Sequence, residues 1–196
     1  MTKICLVRHG ETNWNVRGII QGQTNIPLNN IGEKQANQCG IYLSQYEYDI
    51  IISSSLKRAK KSAELINQHL NLPIVFNDKL KERHFGIAEG QSKLELIKKY
   101  PDQIYPKQES RLSLNRRVMS ELNQIIHNYH NKNIIVVAHG AVINSILSSV
   151  SNHTMGSKIT TLKNGSFTII KVSGNNWSVE SLNLTNHLDI KDNITT

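Results

Sequence analysis

Two short apolar runs in this 196-residue chain end in the same way. Ile4-Cys5-Leu6-Val7 stops at Arg8-His9-Gly10, and Ile134-Ile135-Val136-Val137-Ala138 stops at His139-Gly140. Aliphatic runs without polar alternation mark strands buried on both faces, which occur in parallel sheets covered by helices on either side. Open sheets of this kind bind ligands beyond the carboxyl ends of their strands. The side chains released there are an arginine and two histidines. A neutral imidazole is a competent nucleophile toward phosphorus, and a neighbouring guanidinium can hold phosphate oxygens bidentately. Gly10 lets the chain turn without a Cβ in the way.

The rest of the chain alternates in the same grammar. A strand is expected at 3–7, then a helix from about Asn30 to Gln45 with Ile31, Ala36, Cys39, Ile41 and Leu43 giving a partial buried face. A strand at 49–53 leads to a helix at 55–70, and Ile74-Val75-Phe76 marks a third strand after Pro73. Ser92-Lys93-Leu94-Glu95 has a capping-box pattern and opens a short helix that Pro101 ends. Ser110 to His130 reads as a long helix, followed by a strand at 134–138, a helix at 140–151 and strands at 166–172 and 177–183. Alternating strands and helices imply right-handed βαβ units and a mainly parallel, doubly wound sheet, a three-layer α/β/α sandwich.

Length and composition narrow the class. One domain spanning 1–196 is expected, long enough to bury a full core. No apolar stretch approaches the ~18 residues of a membrane span, and the N-terminal run is too short for a signal peptide, so a cytoplasmic protein is the expectation. Cys5 and Cys39 have no CxxC or metal-ligand spacing and read as reduced core thiols. The net charge of +8 favours anionic partners. Basic residues cluster at Lys57, Arg58, Lys60 and Lys61 and at Arg116-Arg117, but without interleaved aromatics, so nucleic acid is not the expected partner. Most of these lysines read as a solvated helix face.

Two further segments carry chemistry. Ser53 to Ala59 follows the second strand and supplies Arg58; Leu80-Lys81-Glu82-Arg83-His84-Phe85-Gly86 supplies a carboxylate. With these, the chain resembles the histidine phosphatase superfamily, the phosphoglycerate mutase-like proteins. The resemblance extends through Gln21 to Ala36, Ser53 to Ala63, Glu82 to Gly90, Glu109-Ser110, Val136 to Gly140 and Asn183 to Leu188, in order. It implies the same three-layer fold, a phosphohistidine formed on His9, and Arg8, Arg58 and His139 around the phosphate. It assigns Glu82 the proton transfers, and gives Asn15, Gln21, Gly22 and Gly140 further phosphate contacts. It implies neither a cofactor nor a metal. A strand-end histidine could instead satisfy a loop carbonyl, and Arg58 and Glu82 could be surface ions. Their joint occurrence in family order argues for the site.

The chain departs from the family in places. Where many relatives carry Gly-Arg-x-Gln-Gly, it reads Gly18-Ile19-Ile20-Gln21-Gly22, with Arg17 two residues before the usual arginine position. Asn29 replaces a usual threonine but remains a good helix cap. The roles of His84 and Arg17 stay open, whereas His69, His127, His130 and His153 read as surface residues and His187 as structural. Hydrolysis and mutase transfer share all these residues. The short connection from Glu82–Gly90 to Glu109-Ser110 is similar to the compact phosphatase branches, so the expected function is a metal-independent phosphomonoesterase acting on small anionic phosphoesters. A bisphosphoglycerate-dependent mutase and a noncatalytic phospholigand-binding regulator are the alternatives. The natural substrate and the oligomeric state are not fixed by the sequence.

Overall fold

A computed structural model describes residues 1–157, 159–174 and 176–188; residues 189–196 of the expected domain lie outside it. Its strands are β1 (Thr2–Arg8), β2 (Ile50–Ser54), β3 (Ile74–Asn77), β4 (Asn133–Ala138), β5 (Phe167–Ser173) and β6 (Asn176–Leu184). The helices are α1 (Asn13–Val16), α2 (Asn30–Leu43), α3 (Lys57–Asn67), α4 (Lys93–Lys99), α5 (Arg111–Asn128) and α6 (Gly140–Val150). The strands form one sheet in the order β3-β2-β4-β1-β5-β6. The first four are mutually parallel, and β5 and β6 add an antiparallel edge.

Alternation along each strand builds two cores. Ile4, Leu6, Ile52, Ile134 and Val136 face α5 and α6, packing on Val118, Leu122, Ile143 and Ile146. Cys5, Val7, Ile51, Ile135 and Val137 face the other way, onto Cys39 and Leu43 of α2 and Ala59, Ala63 and Ile66 of α3. The central strands are covered on both sides, so the aliphatic runs carry no polar alternation. Burial pushes the Cys5 thiol up to about 12, and Cys39 rises as well, so both are protonated core residues.

Helix ends differ from expectation where side-chain caps decide them. Ile31 and Ile41 are 53% and 43% exposed, so the buried face of α2 is narrower than its apolar content suggests. Ser92 precedes α4 without a side-chain cap bond, and the capping box forms instead at Thr12 and Asn15, around a short helix the sequence does not announce. The strand β3 lies at the sheet edge, with Val75 and Phe76 about 40% exposed, which its apolar letters do not reveal.

Behind the end of β1 the main chain passes very close to α2. A Cβ on Gly10 would lie 2.2 Å from the Gly32 carbonyl oxygen, and one on Gly32 would lie 2.1 Å from the Glu11 carbonyl oxygen. Both neighbours are backbone and cannot step aside without moving an element. Gly32→Ala is therefore expected to lower the melting temperature and activity together. Gly18→Ala is the contrast: its φ is +63° with nothing within 4 Å, so it costs only about 1–2 kcal/mol of left-handed strain. Equal thermal shifts for the two variants would contradict this packing.

Candidate active site

The site begins with strand register. In the parallel β1–β4 pair Arg8 stands opposite Ala138, so the next residue on each strand is a histidine. The backbone N–H of His9 still donates to the Ala138 carbonyl at 3.0 Å. Adjacent strands run about 4.8 Å apart, and the two imidazole centroids lie 5.1 Å apart. Strand β2 is in register on the far side of β4, and its Ser54 hydroxyl reaches His139 Nε2 at 2.8 Å.

Hydrogen bonds define the state of His9. Its Nδ1–H donates to the Gly10 carbonyl at 2.7 Å, because a carbonyl can only accept. Its Nε2 therefore keeps the lone pair, which accepts from Arg58 Nε–H at 3.2 Å. Burial holds the His9 pKa well below the ordinary histidine range, and the positive charges of Arg58 and Arg8 push it further down. Burial, then Arg58 and His9, lower His139 in the same way. Both rings are neutral.

Arg58, on the first turn of α3, has no solvent exposure. Its Nη1 and Nη2 donate to the carbonyls of Thr24 at 2.9 Å and Gly22 at 2.7 Å, which orients the guanidinium beside His9. Burial lowers its pKa to about 10, where it is still a cation at neutral pH. The 22–24 turn is held by Glu89, whose carboxylate accepts from the backbones of Gln23, Thr24 and Phe85 and from the Thr24 hydroxyl. Glu82 lies in the connection after β3. Its Oε1 accepts from the Arg83 N–H at 2.9 Å and its Oε2 from Ala141 N–H, in the first turn of α6, at 3.1 Å.

These side chains surround a cavity of about 540 Å³ at the carboxyl edge of the sheet. Arg8, His9, Asn15, Gln21, Gly22, Arg58 and Glu82 line it. His139 lies fully buried behind His9 and not on the cavity wall. Gly140 is also behind the wall; a Cβ there would come within 3.9 Å of Arg8 and of Glu82. The Asn15 carboxamide oxygen accepts from Thr12 and Asn164, which leaves its amide hydrogens as donors. Arg8 donates from Nη1 to the Leu162 carbonyl. Arg8 Nε, His139 Nδ1 and Gln21 Oε1 are buried polar atoms without a hydrogen-bond partner among the described residues. Two of these orphans, on Arg8 and Gln21, belong to residues of the cavity wall and point to a polar ligand.

The sequence left several wall residues unassigned. Arg83, Lys93 and Arg111 also line the cavity, with Tyr105, Asn144, Ser157, Thr160 and Thr161. Lys93 arrives through pairing of the 18–20 and 90–93 segments, including an isolated Ile19–Ser92 bridge, and no local pattern announces such a long-range contact. Of the two open residues, Arg17 is exposed and off the cavity, and Ile19 lines the wall in its own right. His84 is exposed; it does not line the cavity, and its Nδ1 accepts from the Gly86 N–H in the same turn. His69, His127, His130 and His153 lie on the surface. His187 is buried against Phe167 and Tyr42, its Nε2 on the Gly165 carbonyl, in a structural position. Among the described residues no group of three His, Cys, Asp or Glu side chains is arranged to hold a metal ion.

Comparison with known proteins settles the lineage. The sequence pattern of the histidine phosphatase superfamily (branch 1) matches residues 4–185. The chain belongs to that superfamily. It is 44% identical over 188 residues to an uncharacterized phosphatase, PhoE, of Bacillus subtilis, covering 96% of this chain and 97% of the relative. It is 35% identical over 202 residues to a metal-independent phosphoserine phosphatase of Arabidopsis thaliana, covering 96% and 84%. Among solved structures, YhfR of Bacillus stearothermophilus superposes with a TM-score of 0.90 at 25% identity, covering 96% of this chain and all of that one. More distant relatives at 29% and 30% identity, from Escherichia fergusonii and Salmonella arizonae, carry the name probable phosphoglycerate mutase GpmB.

Two buried neutral imidazoles make stability depend on pH. In the unfolded chain both rings take up protons below about pH 6.5, whereas the folded chain binds them only at lower pH. Their contribution is complete above that pH and is lost as pH falls, by at most about 1.4 kcal/mol per pH unit for each ring. Thermal melts between about pH 7 and pH 5 are expected to show a shallower acid decline for His139→Gln than for the unaltered protein. Parallel declines would mean that His139 is not held neutral by the fold.

Proposed function

We propose that this superfamily member is a metal-independent phosphomonoesterase that works through a phosphohistidine on His9. The observation that carries the reading is the unprotonated Nε2 of His9, fixed by its Nδ1–H bond to Gly10 and set beside a buried guanidinium at the wall of the cavity. Relatives named as phosphatases, at 44% and 35% identity, support hydrolysis over the mutase alternative. The short connection between the Glu82 segment and α5 supports it too.

In this reading Arg8 and Arg58 hold the equatorial oxygens of the phosphoryl group, with Asn15, Gln21 and the Gly22 segment beside them, and His139, buried behind His9, supports the attacking ring rather than lining the cavity. Cationic and N–H donors stabilise the charge of the transferring group without a metal. The Nε2 lone pair attacks phosphorus while the bond to the leaving oxygen breaks, and Glu82 gives that oxygen its proton. The alcohol departs, and the N–P bond of phosphohistidine remains. Glu82 then takes a proton from water as its oxygen attacks phosphorus; the N–P bond breaks, inorganic phosphate forms, and His9 regains its lone pair.

The remaining wall residues bear on the substrate. Arg83, Lys93 and Arg111 add positive charge to the wall of the same cavity, which favours a small phosphoester with a second anionic group, such as a carboxylate. The phosphoserine phosphatase relative is consistent with that class. A cytoplasmic site of action is part of the same proposal. Among the described residues no helix is long and apolar enough to cross a membrane.

In excess EDTA the protein is expected to hydrolyse phosphomonoesters, and His9→Ala to lose turnover and protein labelling together. Glu82→Gln is expected to lose roughly 10²–10⁴-fold with alkyl phosphates and far less in phosphoenzyme formation from p-nitrophenyl phosphate. Labelled phosphoenzyme is expected to accumulate in that variant. Absence of any trapped intermediate, or activity that requires added Mg²⁺, would refute the mechanism. For the substrate class, Lys93→Met is expected to raise KM for phosphoserine while leaving that for p-nitrophenyl phosphate nearly unchanged. Equal changes for both would remove Lys93 from substrate recognition.

A further inference from the structure

Glu82 lies on irregular chain, between the 3₁₀ turn that ends at Leu80 and the one that begins at Gly86. No strand or helix ladder fixes its backbone, yet proton transfer demands a carboxyl held to within a fraction of an ångström. One side chain from a different element supplies much of that restraint. Arg117, in the middle of α5, donates from Nη1 to the carbonyls of Lys79 and of Lys81, the latter at 2.9 Å. Its Nη2 reaches toward the Glu82 carbonyl at 3.5 Å, at the outer limit of a hydrogen bond. The same guanidinium is aligned by Glu109, with Nε on Oε1 at 2.9 Å and Nη2 on Oε2 at 2.8 Å, a bidentate pair.

Glu109 closes the circuit from the other side. Its backbone N–H donates to the His84 carbonyl at 2.8 Å, and its own carbonyl accepts from Arg83 Nε at 2.8 Å. Further along α5, Glu121 is buried, accepts from Asn77 Nδ2 and pairs with Lys79, which fixes the start of the same connection. From the opposite side Gln23 Nε2 donates to the Glu82 carbonyl at 2.9 Å. Arg117 does not line the cavity. Its charge is used on main-chain carbonyls of the segment that carries the acid–base group.

We propose that Arg117, aligned by Glu109, is a positioning residue for Glu82, acting through the backbone of residues 79–82 to set the carboxyl's reach to the leaving oxygen. The proposal rests on Glu82 having the acid–base role described above. It makes a specific claim: loss of Arg117 impairs proton transfer and leaves phosphate binding intact. A lysine cannot substitute, since an ammonium lacks the fork that spans a carboxylate and several carbonyls together.

The test compares the unaltered protein with Arg117→Gln, Arg117→Lys, Glu109→Gln and, as a surface control, Arg116→Gln. Each is assayed with p-nitrophenyl phosphate and with a series of alkyl phosphates of increasingly basic alcohols, and inhibition by inorganic phosphate is measured. Arg117→Gln and Arg117→Lys are expected to lose at least about tenfold more kcat with alkyl phosphates than with p-nitrophenyl phosphate. KM and phosphate inhibition are expected to stay within about threefold. Glu109→Gln, which leaves the arginine in place but misaligned, is expected to show a smaller shift in the same direction, and Arg116→Gln none. If Arg117→Gln does not fold, Arg117→Lys and Glu109→Gln carry the test. Equal losses across the series, or weaker phosphate inhibition with an unchanged leaving-group dependence, would overturn the proposal. An unaltered protein with no phosphatase activity would instead refute the functional reading itself, so the two failures are distinguishable.

Discussion

A guanidinium with no solvent exposure and no ion-pair contact among the described residues stands at the centre of this molecule. Burying a charge is costly unless hydrogen bonds and nearby charge of opposite sign compensate. Arg58 is compensated by two carbonyls of the 22–24 turn and by the lone pair of His9, while Glu82 and Glu89 act only through space. That arrangement orders the turn, keeps His9 from taking a second proton, and leaves the region short of negative charge. In the proposed reading a phosphate group brings the missing charge with it. Arg8 Nε, buried without a hydrogen-bond partner among the described residues, belongs to the same deficit.

Much of this was readable in the letters, and the reasons are local. The two aliphatic runs ending in His-Gly imply buried parallel strands, and the Arg8–Ala138 register makes their histidines neighbours. Arg58 and Glu82 follow strands in the same way, so motif and sheet edge agree on where they lie. The resemblance supplied the roles; spacing alone left a strand-end histidine open to a bland explanation. What the letters could not show depends on partners far away in sequence. Lys93 reaches the cavity through pairing with the 18–20 segment, and Arg111 is just the first residue of a helix. Ile31 and Ile41 look inward by type, but α2 turns them outward. Gly140 and His139 support the wall from behind, a distinction of depth that no one-dimensional pattern carries.

The excess positive charge also separates into two uses. Lys57, Lys60 and Lys61 are exposed on α3, as a solvated helix face would be, and act at most as a diffuse field on approaching anions. Arg58, embedded among those lysines in sequence, is buried and directional. A net charge therefore says little about a site until burial divides the contributors, and here a single helix turn holds both kinds.

The cavity has two halves of different mechanical origin. Its inner half is formed by strand ends and the first turns of α3 and α6, where the sheet register fixes each position and a one-residue slip would reverse every side chain. The rest comes from three connections, between β1 and β2, between β3 and β4 and between β4 and β5, which run outside the sheet and obey no register. Insertions or exchanges there can reshape the mouth without disturbing the imidazole pair. The imidazole pair is thus rigid by construction, whereas Glu82 shares an irregular connection with Arg83, so an exchange of loops that reshapes the mouth has to keep the ties of residues 79–82 to α5.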